Sequence, residues 1–221
     1  MPTTIRMLCL ANSRKSGGRC VAGIDLNTGE WVRPVRDNGG ALTIRDISYE
    51  DGTIPQVLDI IDVPVLARQP LYYQPENWVI DPEIYWEKFG KCPVNLLTDF
   101  FNSYSEKKPY IFAGSSDRLS EYEVKSMSVQ HSLILIKVTD VCLEKRWPVV
   151  GSYPQLRAKF LHNTIFYDLA VTDVLLEEKF KGRAVDIGEY NYKGNFILTI
   201  SLGEPFKGEH YKLVVSVLSL D

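Results

Sequence analysis

Only four cysteines and three histidines occur in the 221 residues, and neither type is arranged to hold a metal. Cys9, Cys20, Cys92 and Cys142 form no C-x-x-C pair, and His131, His162 and His210 are scattered without ligand spacing, so no metal or other cofactor is expected. Cys9, Cys20 and Cys142 fall in apolar, strand-like runs, which reads as buried reduced thiols. A run of some 18 apolar residues is lacking, and the opening MPTTIRMLCLANSRK meets a polar cluster too early for a secretory signal. A cytoplasmic protein with no membrane partner is expected. Positive charge is not in excess either: Lys and Arg total 25 against 28 Asp and Glu, a formal net charge of -3. Bulk attraction to a polyanion is thereby excluded, and any electrostatic binding must come from a local patch. The phosphate-loop pattern G-x-x-x-x-G-K-[ST] is also absent.

What is present is ordinary globular composition, 45% hydrophobic and 24% charged, in a chain long enough for one large domain or two small ones without disulfides. The last ninety residues are the most legible. SLILIKVTDVCLE (132–144) is a long β-rich run; QLRAKFLH (155–162) and IFYDLAV (165–171) alternate apolar with polar residues around a two-residue Asn163-Thr164 link that predicts a hairpin. In TDVLLEEKFKG, Thr172 or Asp173 can cap a short helix that Gly182 ends. NFILTISLG and YKLVVSVLSL, joined by EPFKGEH, close the chain as a second hairpin.

Strand, strand, strand, helix, strand, strand is the order of an OB-fold, a five-stranded Greek-key barrel that binds ligands on strands 2 and 3 with loops 1-2 and 4-5. The N-terminal segment repeats the first half of that order. TIRMLCLA, CVAGIDL and EWVRPV predict three short strands, and VLDIIDVPVLA (57–67) a fourth. The expectation is a mainly β protein: a first OB-like barrel over 1–69, a small helical, aromatic-rich insert over 70–128 that can lend the first barrel a completing strand, and a second barrel over 129–221. In the insert, DPEIYWEKFG predicts a helix with Asp81 as N-cap, Pro82 at its first position and Gly90 at its exit. PVNLLTDFF predicts another, and Ser120 and Glu123 stand at capping-box spacing. Trp78, Tyr85, Trp86, Phe89, Phe100 and Phe101 argue for a packed bridge rather than a linker.

NSRKSGGRC (12–20) sets cations and glycines between two apolar runs, a composition able to cradle a phosphate, carry a reactive cysteine or simply turn a strand. It is expected to be loop 1-2 of the first barrel. Asn12, Ser13 and the Gly17-Gly18 pair would form a backbone nest for an anion, with Arg14, Lys15 and Arg19 adding charge. Between 12 and 36 five cations (Arg14, Lys15, Arg19, Arg33, Arg36) face two acids (Asp25, Glu30), against the sign of the whole chain. Alternation puts Trp31 and Arg33 on one side of a strand, where an indole can stack a base beside a guanidinium; the alternative is a core Trp31 with Arg33 lying along it. Equally, the loop has the composition of any solvated turn.

The second barrel offers Lys145, Arg146 and Trp147 in its loop 1-2, Arg157 and Lys159 on its second strand opposite Leu156, Ala158 and Phe160, and Lys207 and Lys212 at its loop 4-5. Cations interleaved with aromatics are what single-stranded nucleic acid requires, phosphate neutralisation plus stacking. Asp168, Glu204 and Glu209 dilute the charge, so a small nucleotide or a short segment is as good a partner as a long polymer.

LCLANSRKSGGRCVAG, WVRPV, YEDG, VLDI, ENWVIDPEIYWEK, RAKFLH, VTD and SLGEPFKGEHYKLV together resemble the bacterial dual OB-containing domain family over essentially the whole chain. The resemblance implies two OB-like barrels, recognition of nucleic acid or nucleotides, and an association with prokaryotic conflict systems. It brings no established catalytic residues. Two rival readings stand beside it. A protein–protein adaptor needs no chemistry at all. A metal-dependent phosphodiesterase or nuclease would draw on Asp168, Asp173, Glu204 and Ser201, although Asp173 is better explained as a helix cap and Glu204 as a turn residue. Cys20 beside Arg19 has no histidine near it in sequence to activate a thiolate. The leading expectation is a binding module, with enzymatic activity left open.

Overall fold

The computed structural model describes residues 3–37, 39–97, 101, 108–148, 153–181 and 187–220. The chain divides into two compact units, Met1–Phe100 with Val129–Ser132, and Phe101–Ser128 with Leu133–Asp221.

The first unit is built from β1 (Thr3–Lys15), β2 (Gly18–Asp25), β3 (Trp31–Val35), α1 (Ile44–Ile47), β4 (Asp59–Arg68), β5 (Asn77–Ile80) and β6 (Glu87–Lys91). Strand pairing runs β1-β2-β3-β5-β4 and returns to β1, so the sheet closes into a ring. Within the ring only β3 and β5 run parallel. A bulge in β1 between Cys9 and Ala11 lets one long strand serve two partners, β4 with its first half and β2 with its second. Period-two alternation then fills the interior: Ile5, Met7 and Cys9 from β1 meet Val21, Val32, Ile61, Val63, Val65 and Ile80. α1 lies between β3 and β4, and its start is fixed by a capping box in which Thr43 and Asp46 satisfy each other's backbone.

The expected helix over DPEIYWEKFG is a turn followed by β6. Asp81 Oδ1 accepts from the Glu83 amide at 3.0 Å, which makes an Asx turn rather than an N-cap. Trp86 then points into the barrel core, while Tyr85 and Phe89 on either side are exposed. Pairing of Glu87–Lys91 with β4 overrides the helix signal, since burying one indole in the barrel outweighs a few tenths of a kcal/mol per residue of helix propensity. Residues 77–91, expected as part of a helical insert, thus supply β5 and β6 of the first barrel. PVNLLTDFF begins with a short 3-10 turn at Val94–Leu96; Phe100 lies outside the described residues.

The second unit contains β7 (Arg118–Ser120), α2 (Glu121–Ser126), β8 (Leu133–Arg146), β9 (Gln155–His162), β10 (Ile165–Val171), α3 (Val174–Lys181), β11 (Gly188–Phe206) and β12 (Glu209–Ser219). The ring here is β10-β9-β8-β11-β12, closed by a parallel β10–β12 contact at Ala170–Leu213 and Val171–Val214. Both units therefore have five-stranded OB connectivity, with the third and fifth strands parallel at the closure and a helix after the third. The core is the alternating set Ile134, Ile136, Val138, Leu156, Ala158, Phe160, Tyr167, Leu169, Phe196, Leu198 and Ile200.

The expected β9–β10 hairpin is present, with Asn163 at φ +48° and Thr164 at φ +67°, the two left-handed residues that such a tight turn needs. The capping box at Ser120–Glu123 is present as well. Asp173 caps α3 through the Leu176 amide at 3.1 Å; the expected stop at Gly182 lies outside the described residues. The closing hairpin differs from expectation in length. EPFKGEH is mostly strand, and Lys207 (φ +54°) and Gly208 (φ +81°) alone make the turn. No helix among the described residues is long and apolar enough to cross a membrane.

Candidate nucleic-acid interface

The segment 12–20 is not a loop. β1 continues through Lys15 and β2 begins at Gly18, leaving a two-residue turn at Ser16-Gly17 whose Gly17 has φ +82°. Asn12 Nδ2 donates to Pro55 O at 2.7 Å, Ser13 is buried with its hydroxyl donating to Cys20 O at 3.4 Å, and Lys15 Nζ donates to Gly39 O at 3.0 Å. The Arg19 amide donates to Leu42 O at 2.7 Å, so it is not aimed at an anion. Gly18 has no left-handed φ; it is glycine because a Cβ there would sit 2.2 Å from Leu42 O. The expected anion nest is thus a hairpin tip, with Arg14 exposed on it. A side chain that hydrogen-bonds strand backbone is placed by the fold rather than held ready for a ligand.

Trp31 and Arg33 do share one side of β3, but it is buried: Trp31 is 8% exposed and Arg33 is 3% exposed. The Arg33 guanidinium reaches Glu76 Oε1 at 3.0 Å, Cys20 Sγ at 2.7 Å and Ser132 Oγ at 2.8 Å. Ser132 in turn donates its hydroxyl to Glu76 Oε1 and its amide to Glu76 Oε2. A guanidinium enclosed by a carboxylate, a thiol and a hydroxyl is a structural group, and β3 is buried at all five positions. The strand 2–3 face of the first barrel is therefore not a surface on which bases stack.

In the second barrel the equivalent face is open at Leu161 and Phe166 and partly covered at Arg157 and Lys159, whose side chains are 11% and 21% exposed. β9 turns Leu156, Ala158 and Phe160 inward and Arg157, Lys159 and Leu161 outward, as alternation predicts, and β10 turns Phe166 and Asp168 to the same side. Leu161 is 58% exposed and Phe166 is 59% exposed. The cations are held in a lattice of carboxylates. Asp168 Oδ2 accepts from Arg146 Nη2 at 3.0 Å, and its Oδ1 accepts from Arg157 Nε. Arg157 also donates to Gln155 Oε1 and to the Asp168 carbonyl, and it approaches Asp117 Oδ2 at 3.4 Å. Lys159 lies 2.6 Å from Glu189 and 3.3 Å from Glu144. Those contacts, the Glu189 hydrogen bond foremost, raise the Lys159 ammonium above its ordinary pKa and keep it charged.

Other aromatics of this barrel are exposed as well: Trp147 and Tyr153 on the β8–β9 connection at 60% and 82%, and Phe206 beside Lys207 at the β11–β12 turn at 60%. Arg118 of β7 adds a guanidinium over the Tyr211 ring, 4.8 Å from its centroid. Three cations in register with an exposed aromatic can neutralise phosphate and stack a base, and the interleaved carboxylates fix the donors in place.

Two expected members do not join this face. Lys145 Nζ donates to Phe180 O at 3.1 Å. Lys212 is 1% exposed, with Nζ donating to Gly114 O at 2.6 Å, and burial lowers its pKa to about 8. Phe166 and Asp117 were not expected as part of the face; Phe166 was findable, being an aromatic at the polar phase of the alternating run IFYDLAV.

The carboxylates of the nuclease reading are not assembled. Asp168 is taken by two arginines, Asp173 accepts from the Leu176 and Val217 amides, and Ser201 is buried. Among the described residues no group of His, Cys, Asp and Glu is placed to hold a metal ion.

Two OB rings in tandem define the class of protein, and comparison with protein families agrees: the model of the dual OB-containing domain matches residues 5–217. The chain belongs to that family. No match was found among curated proteins or among solved structures.

Proposed function

We propose that the chain is a recognition module that binds single-stranded nucleic acid or a nucleotide on the open β9–β10 face of its second barrel. The observation that carries this reading is the contrast between the two barrels. The same OB face is buried around Arg33 in the first, and in the second Arg146, Arg157 and Lys159, their side chains 38%, 11% and 21% exposed, stand beside open Phe166. The balance of charge on the face favours a short segment over a long polymer, because each phosphate must compete with a carboxylate already in place. The conflict-system setting is carried in this proposal on the resemblance alone.

Fluorescence anisotropy with short single-stranded DNA and RNA at increasing salt tests it. Binding should weaken steeply with salt, and Arg157→Ala with Lys159→Ala should lower affinity and reduce the log–log salt slope by about 1.4. No binding of either polymer at low salt would reject the reading in favour of a protein-binding adaptor.

A further inference from the structure

β8 pairs with β9 only from Cys142 to Arg146, and Asp140 takes φ +65°, its carboxylate held by the Gly194 amide at 3.1 Å. Beyond that point the two strands part, and a cleft of about 430 Å³ opens between Lys137–Thr139 of β8 and Leu161–Asn163 at the end of β9, with Phe101 on its wall. Its volume falls in the range of small-molecule sites, which begins at about 300 Å³.

The lining divides by chemistry. Phe101 and Leu161 supply an aromatic and an aliphatic wall, suited to the faces of a planar base. Asn163 Nδ2 donates to Lys108 O at 3.2 Å and lies 3.1 Å from His162 Nε2, which leaves the side-chain Oδ1 as an acceptor with no partner among the described residues. An acceptor in that place suits the exocyclic amine of adenine or cytosine. Lys137 is exposed and, among the described residues, is paired with no carboxylate, unlike Arg146, Arg157 and Lys159. A cation without a competing acid is the better phosphate ligand. Leu161 belongs both to the cleft and to the outward row Arg157-Lys159-Leu161, which spans about 13 Å along the strand.

We infer that this cleft holds one nucleoside monophosphate unit bearing an amino-substituted base, either free or as the terminal nucleotide of a strand lying on the β9–β10 face. The inference rests on the proposed nucleic-acid reading and adds to it a defined pocket, a preferred base edge and a phosphate ligand.

The test uses the full chain, isotope-labelled for NMR titration, with AMP and IMP as probes, and with one oligonucleotide made with and without a 5′-phosphate. AMP should shift the amides of 137–139 and 161–163 and bind more tightly than IMP, which lacks the amine. Lys137→Ala should weaken AMP about tenfold, and Thr139→Trp, which fills the mouth from an exposed strand position, should abolish its binding. If the occupant is a strand end, the 5′-phosphorylated oligonucleotide should bind more tightly than the unphosphorylated one, and Lys137→Ala should erase the difference. If the occupant is a free nucleotide, the two oligonucleotides should bind alike while AMP competes for neither. Failure of AMP to bind, or binding that is unchanged in both variants, overturns the cleft assignment. In that event oligonucleotide binding that still depends on Arg157 and Lys159 leaves the face reading standing, whereas loss of all binding removes both.

Discussion

Arg33 Nε and Glu76 Oε1 lie 3.0 Å apart with each side chain only 3% exposed, and Ser132 closes the group by bonding to both. The pair joins β3 to the residue before β5 and fastens the segment Val129–Ser132 to the first barrel. Removing one partner leaves the other charged and without solvent. Arg33→Met should therefore destabilise the protein by about 3–5 kcal/mol. Arg33→Met combined with Glu76→Met should recover much of that loss, read by urea unfolding of the three variants. Equal stability of wild type and Arg33→Met would show that the ion pair does not organise this barrel.

The two adjacent glycines of the hairpin tip should respond differently. A methyl group on Gly18 meets Leu42 O at 2.2 Å, and the Arg19–Leu42 bridge must open to admit it. A methyl on Gly17 meets nothing within 4 Å among the described residues and carries the cost of its φ of +82°. Gly18→Ala should lower stability by about 1–3 kcal/mol, and Gly17→Ala by roughly 1 kcal/mol. Neither should change oligonucleotide affinity in folded protein, because the tip is not on the second barrel's face. A selective affinity loss in Gly17→Ala would restore the hairpin tip as an anion site.

Much of the fold was legible because β-barrel interiors write themselves as period-two alternation. QLRAKFLH and IFYDLAV gave both their strands and the outward direction of Arg157 and Lys159. What alternation does not report is which outward face remains outward. Trp31 and Arg33 alternate outward on β3 as Phe166 and Asp168 do on β10, yet the first pair is buried while Phe166 is 59% exposed. The segment 12–20 misled for a related reason: glycine, serine and cations mark a turn, but two long paired strands absorb most of them and leave only Ser16-Gly17 unpaired. At DPEIYWEKFG a good N-cap sequence lost to burial of Trp86, a tertiary contact that local propensity does not contain. The cleft beside β9 lies where β8 and β9 cease to pair, next to Asp140 at φ +65°, and SLILIKVTDVCLE reads as one unbroken strand across that point.

Lys212 should give the protein a recognisable pH response. Its folded-state pKa is lowered from 10.5 to about 8, first of all by burial. Between those values the unfolded chain binds the proton and the native state does not, so this group makes stability rise with pH across that window. Below about pH 8 it carries the full cost of a buried ammonium. Cys9, Cys92 and Cys142, whose thiol pKa values burial raises, act in the opposite sense above about pH 9, because there the unfolded chain loses protons that the native state keeps. The diagnostic is therefore the difference between wild type and Lys212→Met, measured by thermal melts from pH 7 to 9.5. The variant should be the more stable at pH 7, with its advantage shrinking as pH rises. A difference independent of pH would mean that the ammonium is not desolvated in the native state.

Asp168 separates the binding reading from the nuclease reading by the sign of one substitution. Its carboxylate neutralises Arg146 and Arg157 together, so a phosphate arriving at the face must displace it or share its donors. Asp168→Asn removes the charge but keeps an oxygen that can accept from one arginine. Arg157 also keeps its bonds to Gln155 and to the carbonyl of residue 168, neither of which depends on that carboxylate. The guanidinium should stay in place with its charge less compensated. Oligonucleotide affinity at low salt should then rise about threefold, with a steeper salt dependence, since one more unit of positive charge is left for phosphate to neutralise. Wild-type protein with magnesium or manganese should leave labelled DNA and RNA intact under the same conditions. A hydrolytic site would behave in the opposite way, because loss of a metal-binding carboxylate abolishes turnover and removes the positive charge that a metal brings to the substrate. Anisotropy and gel assays on wild type and Asp168→Asn, run side by side, decide between them. Metal-dependent cleavage that vanishes in the variant would replace the recognition module with an enzyme, and weaker binding without cleavage would mean that Asp168 orients the arginines more than it competes with the ligand.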